Sequence, residues 1–266
     1  MNKLHKPTMS IKEATLAVDR AIANADASTL NYFAGQRTRY IHTLAHLPVG
    51  NEQQCALEVG SNELSNKLLK GVLGYGRVDC TIWASSNSAK KYEWNNIVFF
   101  NVNLEQELIQ VADETYDLVI CCEVLEHLSL DPMFMLAELN RVLKPNGTIF
   151  LTTPNITSSR AIWNVLRGDV PYLYHQYLKP ISPGRHNLEY SPPLLKETME
   201  AAGFGTEYFW TIDTFDRPVG KVIKLLNKHG FPSDMRGDNM FYIGRKLGGV
   251  RERYPKFLYD VWAKLP

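Results

Sequence analysis

In the run YDLVICCEVLEHL, Glu123, Glu126 and His127 stand at i, i+3 and i+4, a spacing that gathers all three on one face wherever the chain turns helical. Two carboxylates beside an imidazole can take and return a proton near neutral pH, because histidine is the side chain whose ordinary pKa lies there. A second set precedes it. Leu57-Glu58-Val59-Gly60-Ser61-Asn62 joins an apolar strand to a helix through an acidic residue and a glycine, where bare backbone can approach a nucleotide-like ligand closely. Two more imidazoles, His175 and His186, fall in an aromatic stretch downstream.

The elements that must position these residues alternate. CALEV, RVDCTIW, IVFFNV, YDLVICC and TIFLTT are short apolar runs of strand type, separated by helical patterns or Asn/Gly punctuation. Runs apolar on both sides of the pleat belong to a parallel sheet covered by helices on both faces, so the spacing predicts an α/β fold. Helices are expected over 61–70, 85–92 and 131–143, the last with Asp131 as N-cap and Pro132 at the first helical position. Lys144-Pro145-Asn146-Gly147 stops that helix. Ligands of such sheets bind beyond the carboxyl ends of the strands, which is where Glu58, Gly60 and Glu123 fall.

Residues 1–48 form a helical preface with two helical stretches over 10–47, and residues 49–246 form the α/β domain. Within it, 156–190 is a lid-like insertion rich in aromatics (Trp163, Tyr172, Tyr174, Tyr177, Tyr190), read as packing or as the wall of an acceptor site. A helix from Ser191 to Ala202, a strand in TEYFWTI, a helix in VGKVIKLLNKHG and a strand in MFYIGRK follow. Residues 247–266 read as an amphipathic closing helix whose Tyr254, Phe257, Tyr259 and Trp262 dock on the domain or on a second subunit. The charge balance, 29 Lys plus Arg against 28 Asp plus Glu, argues against a dedicated nucleic-acid or anionic-membrane binder. No apolar run reaches the roughly 18–20 residues of a membrane helix, and the N-terminus has no signal-peptide pattern, so the expected compartment is the cytoplasm. Cys55, Cys80, Cys121 and Cys122 lack metal or disulfide spacing and read as reduced packing residues.

Taken together, Leu57-Glu58-Val59-Gly60, Tyr116-Asp117-Leu118-Val119, Leu125-Glu126-His127-Leu128 and Arg141-Val142-Leu143-Lys144-Pro145-Asn146-Gly147 resemble the linked motifs of class I S-adenosylmethionine-dependent methyltransferases. RHNLEYSPPLLKETMEAAGF is similar to a further segment of that family, and the resemblance spans about residues 36–246. It implies a Rossmann-like, seven-stranded sheet in the order 3-2-1-4-5-7-6 with the last strand antiparallel. It also implies a cofactor site of Glu58, Gly60, Ser61, Asn62, Trp83, Asn103, Leu104, Cys122 and Glu123. Methyl transfer is an in-line displacement at a sulfonium, so the protein must align the reactants and manage one proton. The resemblance gives that task to Glu126, His127 and His186. Some relatives hold a divalent metal on such a set, which would place Mg²⁺ or Mn²⁺ on Glu123, Glu126, His127 and His186; others with the same motif use none.

Two departures from the family pattern stand out. Asn62 and Leu64 replace glycines of the first turn, and RVDCTIW lacks the acidic residue expected at its end, Asp79 falling too early and Trp83, Ser85 or Ser86 standing in. They keep open a second reading, a non-catalytic methyltransferase-like binding module. A nicotinamide dehydrogenase is disfavoured by the absence of G-x-G-x-x-G. The T-P-N and R-H-N-x-E-Y features are similar to bacterial enzymes of surface glycoconjugates. The implied acceptor is therefore a sugar hydroxyl, with a quinol, another small-molecule hydroxyl or an RNA ribose as alternatives.

Overall fold

The computed structural model describes residues 6–25, 27–60, 63–82, 90–94, 97–173 and 185–259. Three helices open the chain: α1 (Ile11–Ala23), α2 (Ala27–Gly35) and α3 (Arg37–His46). Ser10 caps α1 in a capping box, its hydroxyl accepting from the Glu13 N–H while the Glu13 carboxylate accepts from the Ser10 N–H at 2.9 Å. The second expected helical stretch is two helices, because Gln36 leaves helical geometry at φ −96°, ψ 4°.

Eight strands form one sheet: β1 (Cys55–Val59), β2 (Arg77–Ile82), β3 (Lys90–Trp94), β4 (Ile97–Asn101), β5 (Tyr116–Cys122), β6 (Leu143–Pro154), β7 (Phe204–Ile212) and β8 (Asn239–Lys246). Their order is β3-β4-β2-β1-β5-β6-β8-β7. Leaving β3 aside, the strands taken in chain order read 3-2-1-4-5-7-6, with β8 antiparallel to both β6 and β7. This is the Rossmann-like sheet order that the sequence resemblance implies. The added strand corrects the helix expected over 85–92: Lys90–Trp94 runs antiparallel to β4 as an edge strand, and 83–89 lie outside the described residues. A short segment with a ready hairpin partner follows that partner rather than its own helical spacing.

Helices α4 (Glu63–Gly71), α5 (Pro132–Val142), α6 (Ser159–Leu166), α7 (Pro192–Ala201), α8 (Gly220–Lys228) and α9 (Lys256–Tyr259) complete the fold. Asp131 caps α5 as expected, accepting from the Phe134 N–H at 3.1 Å, with Pro132 in the first turn. Strand side chains alternate between two cores. Leu57, Val119 and Leu151 face α5 and α7, whereas Ala56, Leu118, Ile120 and Phe150 face α1, α3 and α4. Truncating a wholly buried core residue such as Leu136 to Ala would cost about 2–5 kcal/mol. The helical preface therefore shares a core with the domain it precedes.

The expected stop at 144–147 lies inside β6, where pairing jumps from Tyr116↔Leu143 to Leu118↔Thr148 and Asn146 takes φ 60°. Lys144 reaches back to Asp117, its Nζ 2.9 Å from both carboxylate oxygens, and Asp117 also accepts from the Cys55 N–H at 2.9 Å. These motif residues clamp the starting ends of β1, β5 and β6. The carboxyl ends, where the site lies, are at the other side of the sheet.

Of the tail, Phe257 packs against the core of the domain and the Tyr259 hydroxyl bonds the Asp131 carboxylate, while Trp262 lies outside the described residues. None of the four cysteines, all of them among the described residues, is joined in a disulfide. Among the described residues no helix is long and apolar enough to cross a membrane.

Candidate active site

Beyond β1 the chain turns at Gly60, which takes φ +69°; a Cβ there would stand 2.8 Å from Val124 Cγ2. Both the conformation and the space call for glycine. The Gly60 N–H donates to Thr81 Oγ1 at 3.2 Å, tying the turn to β2. Leu64, which occupies a position of a family glycine, lies inside α4 and is buried, so its replacement serves the core rather than the turn. Glu58 is buried and its Oε2 accepts from Asn66 Nδ2 at 3.0 Å.

A cavity of about 80 Å³ lies over this turn, lined by Glu58, Gly60, Cys122 and Glu123 from the sheet and by Arg39, Tyr40 and Thr43 from α3. Four expected cofactor residues therefore meet in one place. Asn103 and Leu104 follow β4 but stand outside this lining, and the Asn103 side chain is used in its own turn, Oδ1 accepting from the Glu105 N–H at 3.0 Å. Ser61, Asn62 and Trp83 lie outside the described residues. Asp79 is structural, bonded by Arg77 and by the Tyr116 hydroxyl at 2.8 Å.

The helical side of the cavity is what sequence reasoning missed. Arg39 is buried with its guanidinium 4.6 Å from the centre of the Tyr40 ring. Burial opposes its charge, but Glu123, Tyr40, Cys122 and Tyr32 outweigh it and raise the pKa, so the group stays a cation. The Tyr40 hydroxyl and Thr43 Oγ1 are buried with no hydrogen-bond partner among the described residues. Unsatisfied buried polar atoms cost stability unless a ligand or water completes them, so these two donors fit a polar ligand in the cavity. A signal did exist: Arg39, Tyr40, Thr43, Leu44 and Leu47 share one helical face, and an arginine on such a face needs a partner.

Beyond β5 the expected helical face is absent. Glu123 takes φ 54°, a costly conformation for a non-glycine residue, and only Leu125–His127 forms a single 3₁₀ turn. Glu123 Oε1 accepts from Thr152 Oγ1 at 2.7 Å and from Asn239 Nδ2 at 3.0 Å, which holds it apart from its expected partners. Glu126, His127 and His186 do come together, one ligand atom of each within 4.8 Å of the others. The expected four-residue metal set is thus a set of three.

Each member of that set is anchored. His127 Nδ1 lies 2.9 Å from the Arg185 carbonyl oxygen, so this nitrogen is the donor and Nε2 carries the lone pair, 3.9 Å from Glu126 Oε1. His186 Nδ1 lies 2.8 Å from Glu189 Oε1, which fixes the orientation of this ring as well. The two rings meet edge to face at 4.9 Å. Burial lowers the His127 pKa and keeps it neutral. Glu126 is fully buried; burial and then the charge of Glu123 push its carboxyl well above the ordinary range. Its Oε2 accepts from Thr153 Oγ1 at 2.8 Å, but Oε1 has no hydrogen-bond partner among the described residues.

His175, Tyr174 and Tyr177 lie outside the described residues. Of the other insertion aromatics, Tyr190 is buried in the core, and Trp163 stands on α6 with Lys221 Nζ 5.9 Å from its ring centre. A larger concavity, about 1230 Å³, lies along β7 at the sheet edge and contains none of these acid, base or cofactor residues.

Residues 33–207 match the family described as methyltransferase domain. A ubiquinone biosynthesis O-methyltransferase of Photobacterium profundum is 30% identical over 82 residues, covering 31% of this chain and 32% of that protein. The chain therefore spans about a third of the length of this relative. Among solved structures, the complex of the Haloferax volcanii Trm112 methyltransferase activator with a methyltransferase matches at TM-score 0.57 and 15% identity, covering 87% of this chain and 98% of that one. The [4+2]-cyclase SpnF matches at TM-score 0.51 and 14% identity, covering 80% and 82%. At such identities the likeness is one of fold, and a cyclase on the same fold means that chemistry must be argued from the site.

Proposed function

This chain belongs to the class I S-adenosylmethionine-dependent methyltransferase family, and on that premise we propose that it methylates a hydroxyl oxygen of a small-molecule or glycan acceptor. S-adenosylmethionine, when bound, supplies an electrophilic methyl group on a sulfonium. Arg39 suits the carboxylate of its methionyl part, the Tyr40 and Thr43 hydroxyls supply further hydrogen bonds, and Gly60 leaves room for close approach. His127 takes the proton of the attacking hydroxyl at Nε2. The observation that carries the oxygen reading is the pair of imidazoles, each anchored through Nδ1, set against Glu126 at the carboxyl end of β5.

A metal-assisted form of the same reaction is favoured by one further observation, the buried Glu126 Oε1 beside two imidazoles with no hydrogen-bond partner among the described residues. Two imidazole nitrogens and one carboxylate oxygen would hold Mn²⁺ more readily than Mg²⁺, once Glu126 gives up the proton that its burial favours, and such a cation would lower the pKa of the hydroxyl it holds. His186 is backed by Glu189, the carboxylate–imidazole arrangement usual behind metal-bound histidines. The name of the Photobacterium relative supports a quinol acceptor, whereas the sugar reading rests on the motif resemblance alone.

The test is a transfer assay with labelled S-adenosylmethionine against a catechol or quinol, a sugar and an RNA ribose, with EDTA and with added Mg²⁺. Label on a hydroxyl acceptor supports the reading. Binding of S-adenosylhomocysteine without transfer to any hydroxyl would sink it. Activity on a catechol unaffected by EDTA would remove the metal.

A further inference from the structure

The turn that carries Glu126 and His127 has few hydrogen bonds of its own. It follows a glutamate at φ 54°, the His127 N–H donates to the Val124 carbonyl at 3.0 Å, and the Leu128 N–H donates to the Leu125 carbonyl at 3.4 Å. The next two carbonyls, those of Glu126 and His127 themselves, fall where the end of a helical turn leaves acceptors unsatisfied. Both are met by one residue. The Asn187 N–H donates to the Glu126 carbonyl at 2.7 Å, and Asn187 Nδ2 donates to the His127 carbonyl at 2.6 Å. The Leu188 N–H adds a longer bond to the Glu126 carbonyl at 3.3 Å.

The neighbours of Asn187 fix where it stands. Before it, the Arg185 carbonyl accepts from His127 Nδ1 at 2.9 Å, and His186 supplies the second imidazole of the cluster. After it, the buried Glu189 carboxylate accepts from the Leu173 N–H at 2.9 Å and lies 2.8 Å from His186 Nδ1. Tyr190 is buried and pairs with Asn155 just past β6, its carbonyl accepting from the Ile156 N–H at 3.0 Å. Residues 185–190 are therefore a strap tied down beside the end of β6. Asn187 is the point at which that strap grips the backbone of the acid and the base.

The grip acts on the ring through the backbone. A hydrogen bond at Nδ1 decides which nitrogen of an imidazole carries the proton, and that bond survives only while the strap and the turn keep their register. We propose that Asn187 is a positioning residue: by bonding the carbonyls of Glu126 and His127 it holds the His127 ring against the Arg185 carbonyl, with the proton on Nδ1 and the lone pair on Nε2. The consequence for turnover rests on the hydroxyl methyltransferase reading; the consequence for the ring does not. The side-chain amide matters because it donates. A carboxylate of the same shape cannot donate, and would set its oxygens against the His127 carbonyl and push the turn away.

The test compares the parent with Asn187→Ala and Asn187→Asp in three measurements: long-range proton–nitrogen NMR of the histidine rings, titration with S-adenosylhomocysteine, and single-turnover methyl transfer. The spectra are taken in EDTA at about pH 8, where imidazoles are neutral, with the His127 signals assigned by their loss in His127→Gln. The parent should show His127 as one tautomer, protonated at Nδ1. Asn187→Asp should mix the tautomers and slow transfer on the order of a hundredfold, and Asn187→Ala, which keeps the backbone bond, on the order of tenfold. Both should bind S-adenosylhomocysteine within about twofold of the parent. An unchanged single tautomer in both variants would overturn the proposal, as would mixed tautomers with an unchanged transfer rate. S-adenosylhomocysteine affinity falling in step with turnover would make Asn187 a general prop of the fold and overturn it too. Mixed tautomers in the variants, with no hydroxyl methylated by the parent, would uphold the positioning and sink the hydroxyl reading instead.

Discussion

The cavity over β1 is assembled from distant segments, α3 with the ends of β1 and β5, whereas the Glu126, His127 and His186 cluster takes two of its three members from a single turn. Their polar groups differ in the same way. In the cavity the Tyr40 and Thr43 hydroxyls lack hydrogen-bond partners among the described residues, as suits a site completed by its ligand; in the cluster each imidazole is fixed through Nδ1 before any ligand arrives. The contrast separates binding from chemistry. It follows that damage to the two regions should appear in different measurements, affinity in one and turnover in the other.

The largest effect expected in the cavity is that of Gly60→Val. With φ +69° and Val124 Cγ2 2.8 Å from the new Cβ, the turn must move, and affinity for S-adenosylhomocysteine should fall by more than about a hundredfold in calorimetric titration. Retained affinity would show that the cofactor sits elsewhere. In the cluster, His127→Ala should lower kcat by about 10²–10⁴ while leaving that affinity within about twofold. Because burial holds the His127 pKa below its ordinary 6.5, the wild-type rate should stay level as pH falls past 6.5 and drop only at lower pH. A rate already halved at 6.5 would exclude His127 as the base.

How much of this was legible in the sequence follows from what each motif does. Asp117, Lys144 and Arg141 announced the fold because they are scaffold: Asp117 and Lys144 form the clamp at the strand starts, and Arg141 ties α5 to the Ile109 and Val111 carbonyls. Glu58 and Gly60 were legible because turn chemistry is local. The α3 residues were not, since Arg39 reaches the cavity only through the packing of helices against the sheet. Nor was the divergence of Glu123 from Glu126, because a positive φ at a glutamate leaves no mark in residue spacing, and Thr152 and Asn239 hold it from other strands. The α/β reading survived the error at 85–92 because the added strand only extends an edge.

Arg39→Ala sharpens the contrast at a smaller scale. Removing the cation that faces Glu123 and Cys122 should weaken S-adenosylhomocysteine binding by roughly ten- to a hundredfold, as loss of a charged hydrogen-bonding partner does. The kcat at saturating cofactor should hold. A fall in kcat with unchanged affinity would place Arg39 with the cluster instead of the cavity.

The smallest expected effect lies outside both regions and calibrates them. Asp213 follows the end of β7, and burial, followed by the neighbouring charge of Asp238, raises its pKa from 3.8 to about 6. A carboxyl that resists ionisation in the folded state but not in the unfolded one costs stability once the unfolded chain ionises. The stability it contributes is therefore present below about 3.8, is lost as pH rises to about 6, and does not change further above that. Asp213→Asn removes the titration. Its Tm should approach that of the parent near pH 4 and exceed it by a growing margin up to pH 6, then by a constant one; partial exposure keeps the gain to a few degrees at most. A margin that stays flat from pH 4 to 8 would mean that Asp213 ionises as freely in the fold as outside it.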